Sequence, residues 1–257
     1  MHRTRVSYGA HHSQVGDLWV PAAATGDRPL VVLIHGGFWR AVYTKTLMSR
    51  LARAVVARGF IAWNIEYRRV GALGGGGGWP QTFEDVADAI DHVASFSGVD
   101  VGRVVTCGHS AGGTLALWAA GRGRLPAGSP GSSVKIAVRA AISLAGVVDL
   151  AVAQASGLGG GAVPGLLGGN ELEFPARYGL ASPAALLPLG VPQVLLHGLG
   201  DTVVPASLSE RYVQMATEAG DDARYVALPG VGHRELIDPQ GAAWDELSAQ
   251  LEDVLQP

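Results

Sequence analysis

The sequence predicts an α/β fold, a mostly parallel central sheet covered by helices on both faces. Two observations lead there. Short apolar runs of strand length alternate with longer amphipathic segments, and those runs are apolar at successive positions, as strands buried on both faces must be. A third observation fixes the scale. The chain has 257 residues, 48% hydrophobic and only 16% charged, which is enough apolar material for one large core and excludes the disordered class. A single domain over 1–257 is expected.

The elements follow in order. Residues 6–8 and 17–20 are weak strand candidates and suggest an antiparallel edge hairpin. Residues 30–34 (LVVLI) form the first buried-strand run, bounded by Pro29 and by His35-Gly36-Gly37. A helix over 44–58 places Leu47, Leu51, Ala54 and Val55 at helical spacing, and Gly59 stops it. A strand over 60–65 comes next. A helix over 83–96 then carries Val86, Ile90 and Val93 on one face, with Glu84 and Asp85 in the first turn, where the macrodipole favours acids. Further strands are expected over 103–107, 140–144, 192–196 and 223–228, and helices over 110–120, 206–219 and 240–255.

Two segments break this rhythm. Residues 71–78 end in five consecutive glycines and suggest a mobile surface loop. Residues 146–190 are rich in Gly, Ala, Leu and Pro, with weak helical signals at 164–167 and 183–187. A connection that long within a compact domain suggests a short lid or pocket wall.

Charge and cysteine content narrow the function classes. Net charge is −3 with no long basic run, so no nucleic-acid partner is expected. No stretch approaches the roughly 20 apolar residues of a membrane helix, and the N-terminus lacks an apolar signal run, so a cytoplasmic protein without membrane partners is expected. Cys107 stands alone and reads as an inert core thiol. No His, Cys or acid spacing suggests a metal, and no phosphate loop or other cofactor motif is present. Oligomeric state is left open, with a homodimer among the options.

The chemistry centres on Gly108-His109-Ser110-Ala111-Gly112. The pattern G-x-S-x-G is weak by itself. Here a strand runs into it and a helix runs out, the context a nucleophile elbow needs to expose a serine hydroxyl on a tight turn. The Ala111 amide at the helix N-terminus can face a developing oxyanion. His35-Gly36-Gly37-Phe38-Trp39 follows the first buried strand, where the amide of Gly37 or Phe38 would complete an oxyanion hole. His35 reads as the residue that holds this loop. Asp201 and His233 follow later strands, in the order serine, acid, histidine. They are the candidate orienting acid and general base for the nucleophile Ser110. Asp149 is an alternative acid, Glu235 a loop or pocket group, and His197 a packing residue beneath the acid loop. His2, His11, His12 and His92 read as surface residues. Trp39, His109 and Trp79 are candidates for the substrate pocket.

HGGFW, GHSAGG, GDTVVP and GVGHRE, in that order, resemble the α/β-hydrolase superfamily from about residue 17 onward. His-Gly-Gly-x-Trp resembles the motif of kynurenine formamidases (arylformamidases) and small carboxylesterases. Glu66-Tyr67-Arg68 with Trp79-Pro80 and Glu84-Asp85 resembles a segment of hormone-sensitive-lipase-like esterases. The resemblance implies a serine hydrolase acting on a small-molecule ester or amide. The expected activity is cleavage of carboxylic esters of small or medium acyl groups. Arylformamidase, a small peptidase-like amidase, a lyase or acyltransferase using the same triad, and a catalytically dead binding protein stand as alternatives.

Overall fold

The computed structural model describes residues 1–22, 26–71 and 75–256. Its eight strands are β1 (His2–Ser7), β2 (Val15–Val20), β3 (Arg28–Ile34), β4 (Ile61–Ile65), β5 (Val99–His109), β6 (Ala140–Leu144), β7 (Gln193–Gly198) and β8 (Ala223–Leu228). They form one sheet in the order β1-β2-β4-β3-β5-β6-β7-β8. Strands β1 and β2 pair antiparallel, β2 pairs antiparallel with β4, and every pair from β4 through β8 is parallel. The fold is the α/β architecture expected.

The central run of β3 shows why its sequence does not alternate. Leu30, Val32 and Ile34 enter the core on one face of the sheet, and Val31 and Leu33 enter the core on the other. All five are fully buried, and each contributes about 1.5–3 kcal/mol by leaving water. The first face is covered by helices α2 (Gln81–Asp91) and α3 (Ala111–Gly121), the second by α1 (Ser49–Ala57) and α8 (Ala243–Val254). Helix α7 (Ala206–Glu218) packs with β7 through Tyr212 and Ala216.

Several boundaries differ from expectation for identifiable reasons. The first long helix begins as a 3₁₀ turn over Lys45–Met48, and the segment 83–96 divides into α2 and a 3₁₀ turn over His92–Ser95. Strand β5 starts four residues early because Val99 pairs with Arg28 before a register shift. Helix α8 starts at Ala243, three residues after its predicted beginning.

The segment 146–190 holds three short helices, α4 (Leu150–Ala155), α5 (Ala162–Leu167) and α6 (Pro175–Ala181), and a 3₁₀ turn over Pro183–Leu186. Val163, Leu166, Leu167, Tyr178 and Ala181 are buried in the same core as α2 and α3, so this segment packs as part of the domain. The glycine-rich loop predicted over 71–78 falls partly on residues 72–74, outside the described residues. Its described end is tied down, with Gly77 N–H donating to the Arg69 carbonyl and Trp79 N–H to the Leu166 carbonyl. No helix among the described residues is long and apolar enough to cross a membrane.

Candidate active site

Strand β5 ends at His109, α3 begins at Ala111, and Ser110 lies between them at φ 55°, ψ −123°. A residue with a Cβ pays a steric cost at positive φ, so surrounding contacts must impose the turn. Two glycines allow those contacts. A Cβ on Gly108 would sit 2.0 Å from the Gly112 carbonyl oxygen, and one on Gly112 would sit 2.1 Å from the Ile34 carbonyl oxygen. Ser110 N–H donates to the Leu144 carbonyl at 2.8 Å, and Gly113 N–H to the Ser110 carbonyl at 2.8 Å. The serine is therefore clamped between two buried strands and a helix.

The neighbouring loop after β3 is held from below. His35 is fully buried, with Nδ1 2.8 Å from the Gly36 carbonyl oxygen and Nε2 2.7 Å from Glu66 Oε1. The Tyr67 hydroxyl donates to the His35 carbonyl at 2.9 Å, and the two rings stack at 4.4 Å. Glu66 also accepts the Lys45 amide at 3.0 Å and lies 3.3 Å from Arg69 Nε. Burial opposes ionisation of Glu66. The hydrogen bond and charge of His35, with Arg69 and the Lys45 amide, outweigh it and hold the carboxyl below its usual range. Gly37, Phe38 and Trp39 all take positive φ (110°, 51° and 56°). Among the described residues, the amides of Gly37, Phe38 and Ala111 have no hydrogen-bond acceptor.

Asp201 follows β7 and His233 follows β8, and their side chains meet. The Asp201 carboxylate can only accept, so His233 Nδ1 carries the hydrogen that spans 2.6 Å to Asp201 Oδ2, and in the neutral imidazole Nε2 then holds the free lone pair. Asp201 Oδ1 accepts the amides of Val203 and Val204 at 2.7 and 2.9 Å. His197 Nε2 donates to the Val204 carbonyl at 3.0 Å and lies 3.3 Å from Asp201 Oδ2, while its Nδ1 is 2.8 Å from the Ser209 hydroxyl. Burial pushes the Asp201 carboxyl upward, but the hydrogen bonds from His197, His233 and the two amides outweigh it and hold the group well below the ordinary carboxylate range.

Ser110 and His233 line one cavity of about 490 Å³, although no hydrogen bond joins their side chains. Gly37, Phe38, Tyr43, Leu47, Val203 and Ile237 form its apolar wall, and His109 and Arg234 complete it. Two larger clefts, about 660 and 560 Å³, share Asp88 and Asp91 beside α2 and include no residue of the elbow, acid or base loops.

The remaining candidates separate cleanly. Trp39 does not line the cavity as expected. Its positive φ turns the indole inward, where it is fully buried and donates from Nε1 to the Ala111 carbonyl at 3.1 Å. Trp79 is also away from the cavity, packed edge-on against Phe83 at 5.1 Å. Asp149 is occupied as the N-cap of α4, accepting the Val152 amide at 3.0 Å, and is not the acid that meets His233. Glu235 accepts the Gly232 amide at 2.8 Å. Burial pushes the Cys107 thiol up to about 12, which suits an inert core group. No residue of 146–190 lines the cavity; the segment backs its wall, with Gly159 against the Phe38 ring and the Gly160 carbonyl accepting Arg40 at 3.2 Å. The sequence did not mark Tyr43, Leu47, Val203, Arg234 or Ile237 as cavity residues; Leu47 and Ile237 lie on the 3₁₀ turns Lys45–Met48 and Glu235–Ile237, and the other three on irregular segments. It also did not reveal the role of Glu66, although the resemblance carried by Glu66-Tyr67-Arg68 and the position of an acid at the end of an apolar strand both marked it.

Known proteins share this frame. The probable isoprenylcysteine alpha-carbonyl methylesterase ICMEL1 of Arabidopsis thaliana is 25% identical over 98% of this chain and 55% of its own length, so the chain spans little more than half of that relative. A truncated carbohydrate esterase from gut microbiota superposes with TM-score 0.81 at 23% identity, covering 98% of this chain and 95% of that one. The esterase Est2 of Thermogutta terrifontis superposes with TM-score 0.77 at 21% identity, covering 98% and 90%. These likenesses show the α/β-hydrolase fold. Residues 17–215 match the BD-FAE family, and with three quarters of its length inside that match the chain belongs to the BD-FAE family of α/β-hydrolase proteins.

Proposed function

We propose that this protein is a serine hydrolase that cleaves carboxylic esters of small or medium acyl groups through an acyl-enzyme on Ser110. The observation that carries this reading is the His233–Asp201 hydrogen bond of 2.6 Å, at the rim of the same cavity that holds the strained Ser110. His233 Nε2 takes the Ser110 proton as Oγ attacks the acyl carbonyl. The amides of Ala111 and of Gly37 or Phe38 stabilise the oxyanion, and His233 returns the proton to the leaving alcohol. Water, activated by the same imidazole, then releases the acid. The serine–histidine hydrogen bond forms once substrate fills the cavity.

An ester is favoured over a formamide. The two tryptophans that would have stacked on an aromatic formamide are turned into the protein or away from the cavity, which leaves an apolar wall suited to an acyl chain. The related methylesterase and the similar esterases point the same way. The test is burst kinetics with a p-nitrophenyl ester beside N-formylkynurenine. Wild-type protein should give a stoichiometric burst with the ester and Ser110→Ala none, with turnover at least about 10³-fold lower. A burst that survives Ser110→Ala refutes the assignment.

A further inference from the structure

The loop that carries His233 is anchored on either side of that residue, by Val231 and Leu236 buried in the core, by Gly200 N–H on the Val231 carbonyl at 2.9 Å, and by turn hydrogen bonds such as Gly232 N–H on Glu235 Oε2 at 2.8 Å and Ile237 N–H on the Arg234 carbonyl at 3.3 Å. At His233 itself a side chain from another strand intervenes. His109 Nε2 lies 2.9 Å from the His233 carbonyl oxygen, the only hydrogen bond to that oxygen among the described residues, and the two imidazole rings pack 4.6 Å apart. We propose that His109 is a positioning residue, whose Nε2–H holds the main chain of His233 and so sets that imidazole against Ser110. This rests on the assignment of Ser110 and His233 given above.

The chemistry of the contact fixes its direction. A carbonyl oxygen can only accept, so His109 must be the donor and its hydrogen must be on Nε2. Its Nδ1 is then a lone pair, buried without a partner and facing Gly36, where an added Cβ would sit 3.2 Å from it. With one nitrogen engaged and the other inaccessible, His109 has no polar atom left for a substrate. Although it lines the cavity, it meets a substrate through ring carbons alone. Burial, with the neighbouring His233 charge, pushes its pKa down to about 3, so the donor form does not change across working pH. The anchor is stiff because His109 ends β5, which is paired on both sides by β3 and β6.

The test compares kcat, KM and thermal unfolding for wild type, His109→Leu, His109→Gln and His109→Asn with a p-nitrophenyl ester. A Gln amide can reach the position of Nε2, whereas an Asn amide stops near Nδ1 and falls short. His109→Leu and His109→Asn should lower kcat about 10- to 100-fold with KM within about threefold, and His109→Gln should recover most of the loss. If His109→Leu does not fold, the Gln–Asn pair carries the same comparison. Folded Leu and Asn variants with wild-type kcat would overturn the proposal, as would a Gln variant no better than Asn. A wild type without Ser110-dependent turnover is a separate result, which strikes the hydrolase assignment itself.

Discussion

The two halves of the candidate site are built on different principles. On one side, the Gly37–Trp39 loop rests on a buried lattice in which His35, Glu66, Tyr67 and Arg69 bond to one another and to main chain, all at or below 6% exposure. On the other side, Asp201 and His233 stand on loops after β7 and β8, and β8 is an outer strand whose residues are at most half-buried. The first half is set by the core. The second is set by a few hydrogen bonds that reach in from elsewhere, from His197 beneath the acid and from His109 across the elbow. For the mechanism proposed above, the difference teaches that an oxyanion site made of main-chain amides needs a fixed backbone, whereas an imidazole that moves a proton needs only its orientation held.

That contrast can be broken at its strongest point first. Asp201→Asn should lower kcat about 10⁴-fold while the protein stays folded, because an amide there permits the wrong tautomer of His233; steady-state kinetics with circular dichroism checks this. A loss under tenfold would mean that the loosely built half does not depend on its acid. Next, Gly112→Ala should destabilise the fold by about 3 kcal/mol or more, since its methyl meets fixed backbone at 2.1 Å and nothing there can yield. Chemical denaturation measures it.

On the rigid side, Glu66→Gln should cost about 1–3 kcal/mol by weakening a buried charge-assisted network. It should also change the response to acid. The Glu66 and Asp201 carboxyls are both depressed in the folded protein, so their stabilising contribution is complete above the ordinary carboxylate value near pH 4 and is lost as pH falls below it. Tm of the wild type should therefore drop on acidification, and Glu66→Gln should drop less steeply. The smallest effect is expected at Asp149. Asp149→Ala removes the cap of α4 and should cost about 1 kcal/mol with kcat unchanged, which separates it from Asp201 as the acid.

How much of this was legible in the sequence follows from how local each feature is. The elbow could be read because strand, turn and helix are contiguous around Ser110. The five buried residues of β3 could be read because burial on both faces leaves no polar position. Helices α4 and α6 were missed: they are short and Ala/Gly-rich, and their packing, not their periodicity, makes them helical. The one capping signal, Asp149, was read as a competing acid. Trp39 and Trp79 were misplaced in the pocket because a side chain's direction depends on backbone angles. The positive φ of Phe38 and Trp39 reverses the outward course that the motif suggests. The contact between His109 and His233 spans 124 residues, and no pattern along the chain announces it.

The wall of the cavity has a consequence for redesign. Leu47 and Val203 are 41% and 39% exposed, and neither belongs to the buried clusters on the two faces of the sheet. Trimming or enlarging them alters the room in the cavity without disturbing the interior that folds the chain. Under the ester hydrolysis proposed above, chain-length preference can be tuned from the rim, as an adjustable fitting on a frame that need not be rebuilt.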